Sequence, residues 1–465
     1  MNLDSYIENL KEDIVRTTQE WIKIKSVEGK KKPGMPFGEG VNEALLKALD
    51  DSAKMGFATK NVDGYAGYAE YGQGNELVGI LVHLDVVPEG DGWSYDPYGG
   101  VIVNNRIYGR GTIDNKGPAV ACLYALKAIK DLNLPISKRV RIIYGLNEES
   151  GWACMDYYRE HEEIPQLGFA PDAEFPIIHA EKGILTLKLA REFSEVNPGS
   201  IALKTLKGGL RANMVPDFAV AVLEGDKTSL TNVIESLNKF KEEKGFRMEG
   251  EIEDNILTIK SFGISAHGSL PEKGQNAITR LINFLVSLPL PQDDLFRFLK
   301  FLDTKIGLTY NGENIGLNLK DSVSGNLTLN LGVLELNEKG AFAAINIRYP
   351  VTYKKEDLLK ILEEQISGTG IYLKDISDMA PLYVPEDHFL VQKLKKVYEE
   401  KTGEPARLIA IGGGTYARAI PNAVAFGPLF PGMEELAHQK DEYIDIDHLI
   451  QITKIYAAAI YELIK

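Results

Sequence analysis

The chain has 465 residues, 44% of them hydrophobic, with 66 acidic against 52 basic side chains and a formal net charge of -14. That length implies more than one core, and the acidic balance excludes nucleic-acid backbones and anionic membranes as main partners. The two cysteines, Cys122 and Cys154, are too few for a disulfide framework and lack metal-site spacing, so a reducing cytoplasm and small buried roles for both are expected.

The opening stretch, MNLDSYIENLKEDIVRTTQEWIKIKSV, carries apolar residues at helical spacing and lacks the layout of a secretion signal. No apolar run approaches the length of a membrane span. A Gly/Pro-rich loop and a second helix ending near KMGF follow. FATKNVDGYAGYAEYG then reads as two short strands around Asp-Gly, and ELVGILVHLDVV as a continuous apolar strand. VIVNNRI is a hairpin around Asn-Asn, GRGTIDNKG is a turn into a long helix, and KRVRIIYGLNEESG is a strand, a turn and a helix start. Apolar strands alternating with helices predict an α/β domain, its mixed, largely parallel sheet covered by helices, with ligands gathering at the strands' carboxyl ends.

Near Gly183 the pattern changes to strands and helices arranged as two passes of strand-helix-strand, which predicts an inserted α+β lid domain of two lobes over residues 184–379. The first domain, residues 1–183, resumes over 380–465 with a helix at PEDHFLVQKLKKVYEEKTG, the turn IGGGTYARAI, the strand AVAFG and a last helix from about Asp447.

Of seven histidines, His161, His179, His388 and His448 sit in surface-like helices, a strand connection or a helix start, where structural roles are expected. His83 and Asp85 form H-x-D at an apolar strand's end, where residues i and i+2 share a side and a carboxylate can orient an imidazole. Glu148 and Glu149 end the next strand; alone they read as a solvated pair. Asp114 fits either a helix cap or a bridging ligand, and Asp172 either a turn residue or a ligand. With His438 these make two imidazoles and three carboxylates, a donor set suited to zinc, manganese or cobalt. One bridging carboxylate would give each of two ions three protein ligands, with a water shared between ions roughly 3.5–4 Å apart. Glu148, beside a ligand, would take that water's proton.

In order along the chain, HLD at 83–85, GRGTIDNKG, NEES at 147–150, APDAEFP, ISAHGSLPEKGQNA, NIRYP, GGGTYAR and HQKDEYI resemble the aminoacylase and carboxypeptidase G superfamily of dinuclear zinc metallopeptidases, and within it the bacterial Xaa-His, carnosine-type dipeptidases. The resemblance implies that His83 and Asp172 hold one ion, Glu149 and His438 the other, and that Asp114 bridges. It implies that Asp85 orients His83, that Glu148 is the general base, and that the Asp114–Asn115 peptide is cis. His267, from the insert, would stabilise the oxyanion. Arg348 would grip the substrate carboxylate, with Asn213, Gly413, Gly414, Thr415 and Arg418 holding its backbone. Tyr416 departs from the Thr-Asp pairing common in the wider superfamily, which favours the dipeptidase branch over the deacylases. The implied protein is a cytoplasmic dipeptidase with two divalent ions per chain and small unblocked dipeptide substrates, of the β-Ala-Xaa and Xaa-His type among others. An insert large enough to imitate two lid lobes favours a monomer. The alternative activity is N-acyl amino-acid deacylation of the acetylornithine or succinyl-diaminopimelate type.

Overall fold

A computed structural model describes residues 2–194, 197 and 199–465. The chain folds into two compact units, one of residues 1–179, 383–409 and 414–465, the other of residues 180–382 and 410–413.

In the first unit, strands lie in the order Ala58–Val62, Ala66–Tyr71, Arg139–Gly145, Leu77–His83, Leu167–Ala170, Ala423–Ala425, with Ile178 of the next strand paired to Ala425. Leu77–His83 runs parallel to both Arg139–Gly145 and Leu167–Ala170, and Ala423–Ala425 runs parallel to Leu167–Ala170. The Asp-Gly hairpin at the sheet's edge is antiparallel; Asp63 and Gly64, both at positive φ, are the central residues of the turn that the Tyr65 N–H closes on Val62 O at 2.9 Å. Every residue of Leu77–His83 is buried, because helices cover the sheet on both sides. Removing each such Leu, Ile or Val from water contributes roughly 1.5–3 kcal/mol. Helices Lys116–Asp131 and Ile446–Ile464 pack on each other, and the first also packs on Leu77–His83. Val101–Val103, Arg106–Tyr108 and Tyr443–Asp445 form a separate three-stranded sheet, which joins the segment before the Asp114 turn to the segment after His438.

The second unit is built on one eight-stranded antiparallel sheet. The two passes, expected as two lobes of one inserted domain, share this sheet and one core: Thr205–Gly208 of one pass pairs with Leu334–Asn337 of the other, so the inner strand edges satisfy each other's backbone groups. The strand Ile201–Gly208 that makes this join has no strong signal in the sequence. Burial alternates along Gly183–Glu192 and Phe218–Gly225, and helices Lys227–Lys244, Ala277–Leu285, Asp294–Lys305 and Lys355–Ile366 cover the apolar face. Asp226, Asn276 and Asp293 cap three of these helices through side-chain oxygens.

Two local expectations differ. The opening helix is two helices, Leu3–Asn9 and Lys11–Ile22, broken at Leu10, whose N–H bonds Ile7 O at 3.0 Å. The helix expected just after NEESG starts later, at Ala153, because Trp152 takes φ 65 and Asn147 Oδ1 accepts the Ala153 N–H at 2.9 Å. No helix among the described residues is long and apolar enough to cross a membrane.

Candidate active site

Three parallel strands end at the same edge of the first unit, and each delivers acids or an imidazole there. His83 is the last residue of Leu77–His83; Glu148 and Glu149 follow Arg139–Gly145, and Asp172 follows Leu167–Ala170. Asp114 reaches the cluster from the turn before Lys116–Asp131, and His438 from the loop before Tyr443–Asp445. Asp114 stands between the two imidazoles. Its Oδ1 lies 2.8 Å from His83 Nε2 and its Oδ2 lies 3.0 Å from His438 Nε2. Outside them, Asp172 Oδ1 is 3.5 Å from His83 Nε2, and Glu149 Oε2 is 3.1 Å from His438 Nε2. Donor atoms of His83, Asp114 and Glu149 lie within 4.8 Å of one another, as do those of His83, Glu148 and Asp172. Glu148 therefore lies among the candidate ligands, its Oε1 accepting from Trp152 Nε1 at 3.2 Å.

These donors are imidazole nitrogens and carboxylate oxygens, with one carboxylate presenting an oxygen to each imidazole. Their chemistry fits divalent zinc, manganese or cobalt. The cluster's electrostatics agree with a cation-binding role. Burial and the Asp172 charge push the Glu148 carboxyl well above the usual carboxylate range. Burial pushes Asp172 up to about 6, and hydrogen bonds to Asp114 and then Glu149 raise His438 to about 10. Burial would lower His83, but Asp172 and Asp114 outweigh it and raise the imidazole well above its ordinary value.

Asp85 is buried, yet its carboxylate lies 3.6 Å from His83 Nδ1. The ring nitrogen instead meets the Asp85 carbonyl at 2.9 Å. The carboxylate turns to the neighbouring strand end, accepting the N–H of Glu148 at 3.2 Å and of Glu149 at 3.1 Å. One residue thus fixes the His83 ring through its backbone and the Glu148-Glu149 turn through its side chain.

Asn115 was not singled out by residue type, although it adjoins Asp114. The Asp114–Asn115 peptide is cis. The buried Asn115 side chain accepts the His83 N–H at 3.4 Å and donates to Pro171 O at 2.6 Å and Asp172 Oδ1 at 3.1 Å, joining two strand ends. Tyr416 lies fully buried with its ring edge-on to His83 and to Trp152, and its hydroxyl is 3.3 Å from Cys154 Sγ. A Cβ at Gly145 would meet that hydroxyl at 1.9 Å, so glycine is required there. Cys122 and Cys154 are both buried and free, and burial pushes the Cys154 thiol up to about 11.

Thr415 is buried in the same unit and caps the short helix Tyr416–Ala419, its Oγ1 accepting the Ala417 N–H at 3.3 Å; Arg418 lies within that helix and Gly414 just before it. Glu442 is fully buried beside the Asp114 turn, and neither composition nor spacing distinguished it from its acidic neighbours.

The remaining candidates belong to the second unit. His267 pairs with Met214 across an isolated bridge, and Gly268 N–H donates to Asn213 O at 2.7 Å, so Asn213 and His267 are neighbours. His267 Nδ1 is 2.6 Å from Ser269 Oγ. Arg348 is buried, donating from Nε to Asn346 Oδ1 at 2.8 Å and from Nη1 to Gly412 O at 2.8 Å, next to Gly413. Burial and then the Arg348 charge lower the affinity of His267 for a proton. Of the four histidines set aside, His179 and His448 are buried against carbonyls of Val384 and Pro428, His388 caps a helix, and His161 stacks on Tyr157.

An α/β sheet with carboxylates and imidazoles gathered at its strand ends is the arrangement of a metal-dependent hydrolase. The chain belongs to peptidase family M20/M25/M40, which its residues 79–462 match. It is 46% identical over 471 residues to YtjP of Bacillus subtilis (strain 168), provisionally named a dipeptidase, with 100% of each chain covered. A Staphylococcus saprophyticus protein, also provisionally named a dipeptidase, is 38% identical over 431 residues, 92% of each chain. Among solved structures, the aminoacylhistidine dipeptidase of Vibrio alginolyticus shares the fold with a TM-score of 0.59 and 14% identity, over 97% of this chain and 96% of that one. Human carnosine dipeptidase 1 shares it with a TM-score of 0.54 and 16% identity, over 99% and 98%.

Proposed function

We propose that this peptidase is a metal-dependent dipeptidase that hydrolyses small unblocked dipeptides, those of the β-Ala-Xaa and Xaa-His type among them. The observation that carries the reading is Asp114, with one carboxylate oxygen on each of two imidazoles and further acids beyond each. His83 and Asp172 would hold one divalent ion, Glu149 and His438 a second, and Asp114 both; zinc fits, as do manganese and cobalt. Bound there, the ions lower the pKa of a water and polarise the scissile carbonyl. Glu148 takes the proton of the attacking water and hands it to the leaving amine, a role worth about 10²–10⁴ in rate. Asp85 steadies this machinery by holding the Glu148 and Glu149 N–H groups.

His267 stabilises the oxyanion, which is worth about 2.7–4 kcal/mol in comparable sites. Arg348 binds the substrate's carboxylate with its planar donor fork. Asn213, Gly413, Gly414, Thr415 and Arg418 hold the rest of the substrate backbone. Residues 184–379 serve as a lid on a catalytic domain of residues 1–183 and 380–465, and the enzyme works as a cytoplasmic monomer.

A panel of β-alanyl-His, Leu-Gly, and N-acetyl and N-succinyl amino acids, assayed with each of the three metals, tests the reading. Turnover of the free dipeptides is expected. Hydrolysis of the acylated compounds alone would replace this reading with a deacylase.

A further inference from the structure

Glu442 lies four residues after His438 and is wholly buried. Its Oε1 accepts the backbone N–H groups of Gly111 at 3.0 Å, Ile113 at 2.9 Å and Asp114 at 3.3 Å. Its Oε2 accepts from Arg110 Nη1 at 2.7 Å, and its own carbonyl accepts the Gly109 N–H at 2.9 Å. Arg110 also donates to Gln439 O at 3.2 Å and to Glu89 O at 3.3 Å.

The convergence of donors has a local cause. Gly111, at φ 93, adopts a conformation that a side chain would disfavour, and the turn aims the N–H groups of Gly111, Ile113 and Asp114 inward while that of Thr112 bonds Gly109 O. Such a concavity attracts an anion, and here the protein supplies its own carboxylate from a segment more than three hundred residues away. The Arg110–Glu442 pair therefore clasps residues 109–114 to residues 438–442. One segment carries Asp114 and the other His438, whose Nε2 meets Asp114 Oδ2 at 3.0 Å.

We propose that Glu442 is a positioning residue of the metal site: by holding the Asp114 turn against the His438 segment, it sets the spacing of the shared carboxylate and its imidazole. The proposal rests on reading the cluster as a metal centre. Partners of this kind, acting behind the ligands, are worth about 10–100-fold in metal affinity.

The test uses the full chain and Glu442→Gln, which keeps the side chain's size and one acceptor oxygen but removes its charge, with Arg110→Lys as a second variant. Zn²⁺ is titrated calorimetrically into metal-stripped protein, and Co²⁺-loaded protein is read by visible absorption. For Glu442→Gln the expectation is Zn²⁺ affinity about 10–100-fold weaker, a changed Co²⁺ spectrum and a fall in kcat with KM held, at unchanged circular dichroism. If Glu442→Gln does not fold, Arg110→Lys carries the test, because it keeps a buried cation while losing the bond to Gln439. A parent chain that binds Zn²⁺ while its folded variant binds more weakly supports the proposal even if no dipeptide is cleaved, so the proposed activity fails separately. Parental Zn²⁺ affinity and Co²⁺ spectrum in the folded variant, or a parent chain that binds neither ion, would overturn it.

Discussion

The two units bury their strands in opposite ways. In the first, Leu77–His83 is buried along its whole length, and chemistry-bearing side chains are confined to the last residue and the turns beyond. In the second, strands such as Gly183–Glu192 alternate buried with half-buried positions, and the candidates sit in loops or near one strand end: Asn213, His267 and Arg348. The first unit gathers acids and imidazoles, the groups that hold cations and move protons. The second offers neutral and cationic donors, the groups that hold a substrate's oxygens. Changes in the first should abolish the reaction, and changes in the second should weaken it.

The largest effect belongs to the cations. Stripping divalent ions with a chelator should take dipeptide hydrolysis to background, and Zn²⁺, Mn²⁺ or Co²⁺ should restore it; activity that survives exhaustive stripping would dissolve the contrast between the units. His267→Ala should lower kcat by about 10²–10³-fold while metal content stays at the parental level. Arg348→Lys comes next, since an ammonium replaces a planar fork: steady-state kinetics should show KM raised by roughly tenfold or more, in keeping with about 1.5–3 kcal/mol for a charged hydrogen bond. The smallest signal is a proton count. With His438 raised to about 10, its imidazole is protonated at pH 8, and a cation must displace that proton. Asp172, raised to about 6, is ionised at pH 8 and takes up a proton only near pH 6 and below. Since His83 is raised as well, calorimetry in buffers of different ionisation enthalpy should show at least one proton released per chain at pH 8, with affinity falling as the pH drops and more steeply below 6.

Much of this was legible from residues alone because the first unit follows local rules. A continuous apolar run ending in H-x-D and an Asn-Asn hairpin each declare themselves within a dozen residues. Asp114, Glu149, Asp172 and His438 were ambiguous singly; the order of their motifs singled them out, and the sheet's topology brings their donor atoms together. What escaped reading depends on distant packing. Ile201–Gly208 is a strand because two half-sheets need their inner edges closed. Asp85 turns its carboxylate to the Glu148 and Glu149 N–H groups because the adjacent parallel strand ends beside it, which no H-x-D spacing reveals. Glu442 looks like any surface acid until Gly111 shapes the turn that receives it.

Metal content and turnover measured together on Glu148→Gln and Glu149→Gln test the division of labour between two adjacent carboxylates most directly. Glu148→Gln should keep two divalent ions per chain and lose about 10²–10⁴-fold in kcat, whereas Glu149→Gln should lose one ion along with its activity. Parental turnover by Glu148→Gln, or loss of an ion from it equal to that of Glu149→Gln, would contradict the assignment.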